Sequence, residues 1–124
     1  MRRTVLIADD EQHIRLLIEQ ALEELEDDGV ELVTAADGEE ALAMARQLRP
    51  AVLLLDVMMP RVNGFEVCRQ LKGELAADAP LIVLLTAKGQ AFDRERGVED
   101  GADRYITKPF DPDDLLAVVR EALT

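Results

Sequence analysis

Three acidic residues stand where two apolar runs stop. Asp56 ends Ala51-Val-Leu-Leu-Leu-Asp56, and Asp9 and Asp10 end Val5-Leu-Ile-Ala-Asp9-Asp10. If both runs are buried parallel strands, their C-terminal ends lie together and three carboxylates meet at one sheet edge. Such crowding is unfavourable unless a cation occupies it, and a hard, oxygen-seeking ion of the Mg2+ type suits an all-carboxylate set. One carboxylate is then left over for other work. Thr86 and Lys108 close two later runs in the same way. A lone strand-terminal Asp is more often a cap or turn former, and a lone Thr or Lys means little. Five polar strand ends with complementary chemistry point to a site.

The chain has 124 residues, enough for one sizeable core and not two, so residues 1–124 are read as a single domain. Its formal net charge of -12, from 14 Lys and Arg against 26 Asp and Glu, would repel a phosphate backbone. Direct nucleic-acid binding is therefore not expected, whereas protein partners or cationic ligands fit; most of these acids are read as solvated surface. The single cysteine, Cys68, excludes an internal disulfide, and no Cys/His spacing suits zinc. A reducing cytoplasm is the expected compartment. The basic-then-apolar start is interrupted by Asp9-Asp10-Glu11 too early for a signal peptide or a membrane span.

These residues need elements to position them. Short apolar runs at Val5–Ala8, Val30–Thr34, Val52–Leu55, Leu81–Leu85 and Tyr105–Thr107 alternate with segments of helical character, the pattern of a doubly wound parallel sheet with helices on both faces. The spacing of Ile14, Leu17, Ile18, Ala21, Leu22 and Leu25 predicts a first helix stopped near Gly29. Asp37-Gly-Glu-Glu40 has capping-box spacing before a helix with Ala41, Leu42, Ala45 and Leu48 on its buried face, and Pro50 bars its extension. Asn63-Gly64 opens a third helix burying Phe65, Val67, Leu71 and Cys68, the last read as a core thiol. A fourth segment at 91–99 has few apolar anchors. Asp111-Pro112 starts the last helix, with Leu115, Leu116, Val119, Ala122 and Leu123 facing inward.

The motifs Ala8-Asp9-Asp10-Glu11, Leu55-Asp56-Val57-Met58-Met59-Pro60, Asn63-Gly64, Leu85-Thr86-Ala87 and Gly101-Ala102-Asp103-Arg104-Tyr105-Ile106-Thr107-Lys108-Pro109-Phe110 together resemble the receiver domain of two-component response regulators. The resemblance spans essentially the whole chain and implies a flavodoxin-like (βα)5 fold with strand order 2-1-3-4-5. It implies that Asp56 is the phosphoacceptor, that Asp9, Asp10, Asp56 and the backbone carbonyl of Met58 hold Mg2+, and that Lys108 pairs with Asp56 at rest and with a phosphoryl oxygen afterwards. It also implies a cis Lys108–Pro109 bond that aims the lysine. Thr86 and Tyr105 would form the switch pair, and the fourth helical segment, fifth strand and last helix the output face. The phosphoryl donor would be a sensor histidine kinase or phosphotransfer protein. The recipient of the signal would be a downstream protein or an attached output domain.

Several neighbouring residues refine this picture. Met58 and Lys88 lie two residues beyond Asp56 and Thr86, where the family tunes hydrolysis of the acyl phosphate; an apolar Met orients no water, so fast self-dephosphorylation is not expected. Arg94 and Asp114 resemble part of a salt-bridge set through which receivers joined to winged-helix domains dimerise. Arg104 stands there where an acid is usual and Val118 where a base is usual, so the set is incomplete. His13 reads as a surface residue near the partner-docking area. As a receiver the chain would be no enzyme in the ordinary sense, but a phosphoacceptor that catalyses its own phosphorylation and dephosphorylation. A dinucleotide-binding domain would need a Gly-rich turn where Asp9-Asp10-Glu11-Gln12 stands. A Mg2+-dependent phosphatase of haloacid-dehalogenase type is the enzyme alternative, although it would want an acid at position 58.

Overall fold

The computed structural model describes residues 3–87 and 101–124. Five strands, β1 (Arg3–Ala8), β2 (Val30–Ala35), β3 (Val52–Asp56), β4 (Leu81–Ala87) and β5 (Arg104–Lys108), form one sheet in the order β2-β1-β3-β4-β5. All four pairings are parallel. The helices are α1 (Gln12–Ala21), α2 (Glu23–Asp27), α3 (Gly38–Leu48), α4 (Gly64–Leu75) and α5 (Pro112–Leu123). The segment expected at 91–99, with Arg94 and Lys88, lies outside the described residues.

Parallel strands covered on both faces must be apolar on both faces, and β3 shows it: all five of its residues are buried. Its neighbours divide by the two-residue period of the strand. Leu6, Ala8, Leu53, Leu55, Ile82 and Leu84 pack on α3 and α4 through Ala41, Ala45, Phe65, Val67, Cys68 and Leu71. Val5, Ile7, Val52, Leu54, Val83 and Leu85 pack on the opposite face against Ile18, Leu22, Leu25, Leu115, Val119 and Leu123.

Helix starts follow the side chains that can accept from unpaired N–H groups. Asp37 accepts from the Glu40 amide at 2.8 Å, Asn63 from Glu66 at 3.0 Å and Asp111 from Asp113 at 2.8 Å with Pro112 beside it. Two expectations need correction. The first helix is not continuous to Leu25: the chain turns at Leu22 (φ -102, ψ 4) and restarts as α2, which keeps both Leu22 and Leu25 buried. Leu48, expected on the buried face of its helix, is 39% exposed, and Leu17, which shares the apolar spacing of the first helix, is 48% exposed. Helical spacing marks the direction of an apolar face, but not how far the neighbouring elements reach over it.

Core burial outweighs caps in holding this arrangement. Leu54→Ala, which empties a fully buried site, is expected to cost about 2–5 kcal/mol in urea denaturation, whereas Asp37→Ala should cost only about 1 kcal/mol.

Candidate functional site

All parallel strands end at one edge, and the register aligns those ends. Ala8 pairs with Leu55, Asp56 with Leu85, Thr86 with Thr107 and Ala87 with Lys108. The topology therefore brings together residues that are up to 99 positions apart. Asp9, Asp10 and Asp56 each offer a carboxylate oxygen, and these oxygens all lie within 4.8 Å of one another. Asp9 and Asp56 are buried, at 0% and 4% exposure, while Asp10 is exposed.

Asp9 is fixed from three directions. Its Oδ1 accepts the Glu11 amide N–H at 2.9 Å, its Oδ2 accepts from Lys108 Nζ at 2.8 Å, and its carbonyl oxygen accepts from Arg15 Nη1 at 2.7 Å. Asp56 Oδ1 accepts from the Met58 amide at 3.2 Å and stands 3.3 Å from Lys108 Nζ. Lys108 thus bridges both acids: it pairs with Asp56, as the resemblance implies, and lies closer still to Asp9. The reason is geometric: β1 lies between β2 and β3, its end adjoins that of β3, and one ammonium reaches both. The Lys108–Pro109 bond is cis, as expected.

The electrostatics follow from this crowding. Burial, together with the nearby charge of Asp9, pushes the Asp56 carboxyl up to about 6, against the opposing pull of Lys108 and the Met58 amide. For Lys108 burial works against the ammonium, but the hydrogen bond it donates to Asp9 and the charges of Asp56 and Asp9 outweigh it and raise its pKa. A single ammonium does not offset two buried carboxylates and a third beside them. The site fits a divalent cation: its donors are all oxygens, and its central carboxylate resists ionising without further positive charge.

Thr86 is buried at 3% exposure on β4, whereas Tyr105, opposite Leu84 on β5, is half-buried against the α3–α4 side of the core. Met58 is 68% exposed. Arg104 pairs with Glu121 of α5 at 3.2 Å, and His13 is exposed beside Glu11. Sequence reasoning missed Arg15. Its only signal was a position one turn into α1, from which a long side chain reaches back to the strand end.

A family model for the response regulator receiver domain matches residues 5–120. The chain belongs to this family. The transcriptional regulatory protein PhoP for alkaline phosphatase synthesis in Bacillus subtilis is 42% identical over 99% of the chain and 49% of its own length. The dual master transcriptional regulator RpaA of a Synechocystis species is 43% identical over 96% of the chain and 48% of its own length. The chain thus spans about half the length of these relatives. The crystal structure of the chemotaxis response regulator CheY4 of Vibrio cholerae superposes with a TM-score of 0.85 at 34% identity, covering 98% of this chain and 99% of that one. This receiver domain of the two-component signalling systems keeps the flavodoxin-like strand order, and its relatives lend no support to the phosphatase alternative. Among the described residues, no helix is long and apolar enough to cross a membrane.

The raised carboxyl of Asp56 gives a pH signature. Its folded pKa of about 6 lies above the ordinary value of 3.8, so the folded state holds the proton longer and stability falls as pH rises from about 4 through about 6. In metal-free buffer, Asp56→Asn is therefore expected to match the unaltered protein near pH 4. It should exceed the unaltered protein by about 2–3 kcal/mol at pH 7, measured by denaturation. Millimolar Mg2+ should stabilise the unaltered protein and narrow that gap.

Proposed function

We propose that this receiver domain accepts a phosphoryl group on Asp56 from a sensor histidine kinase or phosphotransfer protein, in a Mg2+-dependent step, and passes the change on through its fifth strand and flanking helices. The observation that carries the reading is the pairing of a buried carboxylate, its pKa pushed up to about 6, with an ammonium shared between Asp56 and Asp9. A carboxylate is a weak nucleophile, so transfer depends on placement and on neutralising the incoming charge. Asp56 Oδ1 is engaged by the Met58 amide and Lys108, so Oδ2 is the attacking oxygen. Asp9, Asp10, Asp56 and the Met58 carbonyl would hold Mg2+, which supplies positive charge against the phosphoryl oxygens. Lys108 moves its contact from the acids to a phosphoryl oxygen, and Thr86 donates its hydroxyl to another.

Thr86 and Tyr105 form the proposed switch. As the Thr86 hydroxyl turns to the phosphoryl group, room opens for the half-buried Tyr105 ring to rotate inward, changing the surface between β5 and α5. Residues 1–124 act as one receiver unit in the cytoplasm, signalling to a downstream protein or to an attached output domain. The length and names of the transcriptional relatives favour an attached domain. The net charge of -12 leaves direct nucleic-acid contact to such a partner. Turnover is slow: Met58 presents an apolar side chain rather than a water-orienting group beside the acceptor.

The donor is proposed to dock on an apolar cleft of about 430 Å³ beside the site, lined by Ile14, Leu17, Lys108, Pro109, Phe110 and Pro112. Leu16 and Leu17 stand 50% and 48% exposed on the same helix, an apolar exposure that a partner helix would cover.

Incubation with Mg2+ and acetyl phosphate should add one phosphoryl group by intact mass, labile to hydroxylamine, and Asp56→Asn should abolish it. Persistence of the label in that variant would move the acceptor elsewhere, and phosphate release within seconds would refute slow turnover. Leu17→Asp should slow transfer from a phosphorylated histidine protein about tenfold or more, yet leave labelling by acetyl phosphate unchanged. Equal slowing with both donors would remove the cleft from the docking role.

A further inference from the structure

The loop between β3 and α4 carries the Met58 carbonyl, and two glycines hold it from opposite ends. A Cβ on Gly64 would lie 2.5 Å from the Asp56 carbonyl oxygen and 2.8 Å from Val57 Cα, and the Gly64 amide donates to the Val57 carbonyl at 2.9 Å. On the far side, Gly38 opens α3 directly beneath Val62. A Cβ on Gly38 would fall 1.8 Å from the Val62 carbonyl oxygen and 2.8 Å from its carbonyl carbon. Both neighbours are backbone, so rotating a side chain relieves neither clash. Between the glycines the chain turns tightly: the Val62 amide donates to Pro60 at 2.9 Å, and Arg61 holds a left-handed φ of 70. The Arg61 side chain returns to α3 through an ion pair with Glu39 at 3.0 Å.

We propose that Gly38 is a positioning residue for the metal site: the missing side chain at the start of α3 lets the β3–α4 loop seat against that helix and thereby fixes the Met58 carbonyl. The inference rests on the Mg2+-dependent reading above. A carbon-to-oxygen contact needs about 3.3 Å, so a methyl group at position 38 must part the loop and the helix by roughly 1.5 Å. Mg2+ takes oxygen ligands only in a nearly regular octahedron, at about 2.0–2.1 Å. A carbonyl displaced on that scale leaves the coordination sphere. The ion pair is not the fastening, because the Arg61 and Glu39 side chains are 68% and 63% exposed and pairs in that setting contribute little.

Isothermal titration of the whole domain with Mg2+ tests this. Gly38→Ala should bind Mg2+ about 10- to 100-fold more weakly, with a parallel loss in acetyl phosphate labelling at limiting Mg2+. Glu39→Gln should stay within about twofold of the unaltered protein. Should Gly38→Ala fail to fold, Arg61→Val carries the test: a β-branched residue does not hold a φ of 70, so the loop shifts from its own side and affinity should fall about tenfold. Unchanged affinity in the folded Gly38→Ala protein, or in Arg61→Val where that variant must serve, overturns the proposal. So does an equal loss in Glu39→Gln. Absence of Mg2+ binding by the unaltered protein would instead take down the metal reading itself, an outcome distinct from one in which protein and variants bind alike.

Discussion

The rest of this structure depends on holding carboxylates together at the end of a sheet, against their mutual repulsion. Asp9 and Asp56 are almost wholly removed from water, and Asp10 stands within reach of both. Two buried negative charges in so small a space are unstable unless they are paired, hydrogen-bonded or partly protonated. All three remedies are present. Lys108 pairs with both acids, the Glu11 and Met58 amides donate to one each, and the Asp56 carboxyl is pushed up to about 6. The residual imbalance makes the site responsive, because any added positive charge acts on groups whose protonation and pairing are already close to changing.

The fold supplies this tension at its C-terminal edge. Strands buried on both faces are held in register by apolar packing, and every residue of β3 up to and including Asp56 is buried. The acids cannot retreat into solvent without breaking that register, since a one-residue slip would turn the apolar set of each strand to the wrong face. The core therefore acts as the spring that the site works against. Edge strands β2 and β5 are more exposed than β1 and β3, which puts Lys108 and Tyr105 on a strand that, among the described residues, pairs on one side only.

Around this centre the polar contacts are small and local. Arg15 steadies the carbonyl of Asp9, Lys72 joins Asp103 and the Pro80 carbonyl at the opposite end of β4, and Arg46 joins Glu74 across α3 and α4. The Arg46 pair is exposed and worth little alone. Close backbone approaches act beside side-chain packing near the site: Val57 and Met59 of the loop after Asp56 are buried in the core and Val62 packs on it, while Gly38 and Gly64 let neighbouring backbone come close.

The sequence by itself determined which residues are strand ends, which are caps and which acids would meet. Apolar runs bounded by Asp, Thr and Lys force buried parallel strands, and the side chains of Asp37, Asn63 and Asp111 select helix starts through bonds to residues two or three positions away. Such information is local in the chain, so it is legible there. What only the tertiary structure decided is non-local. That Lys108 lies nearer Asp9 than Asp56, that Leu17 stands open beside Phe110, and that Val62 rests on Gly38 are matters of distances between elements far apart in sequence. Periodicity reports that a residue is apolar or charged and which way it faces; it carries no record of what the fold brings to meet it.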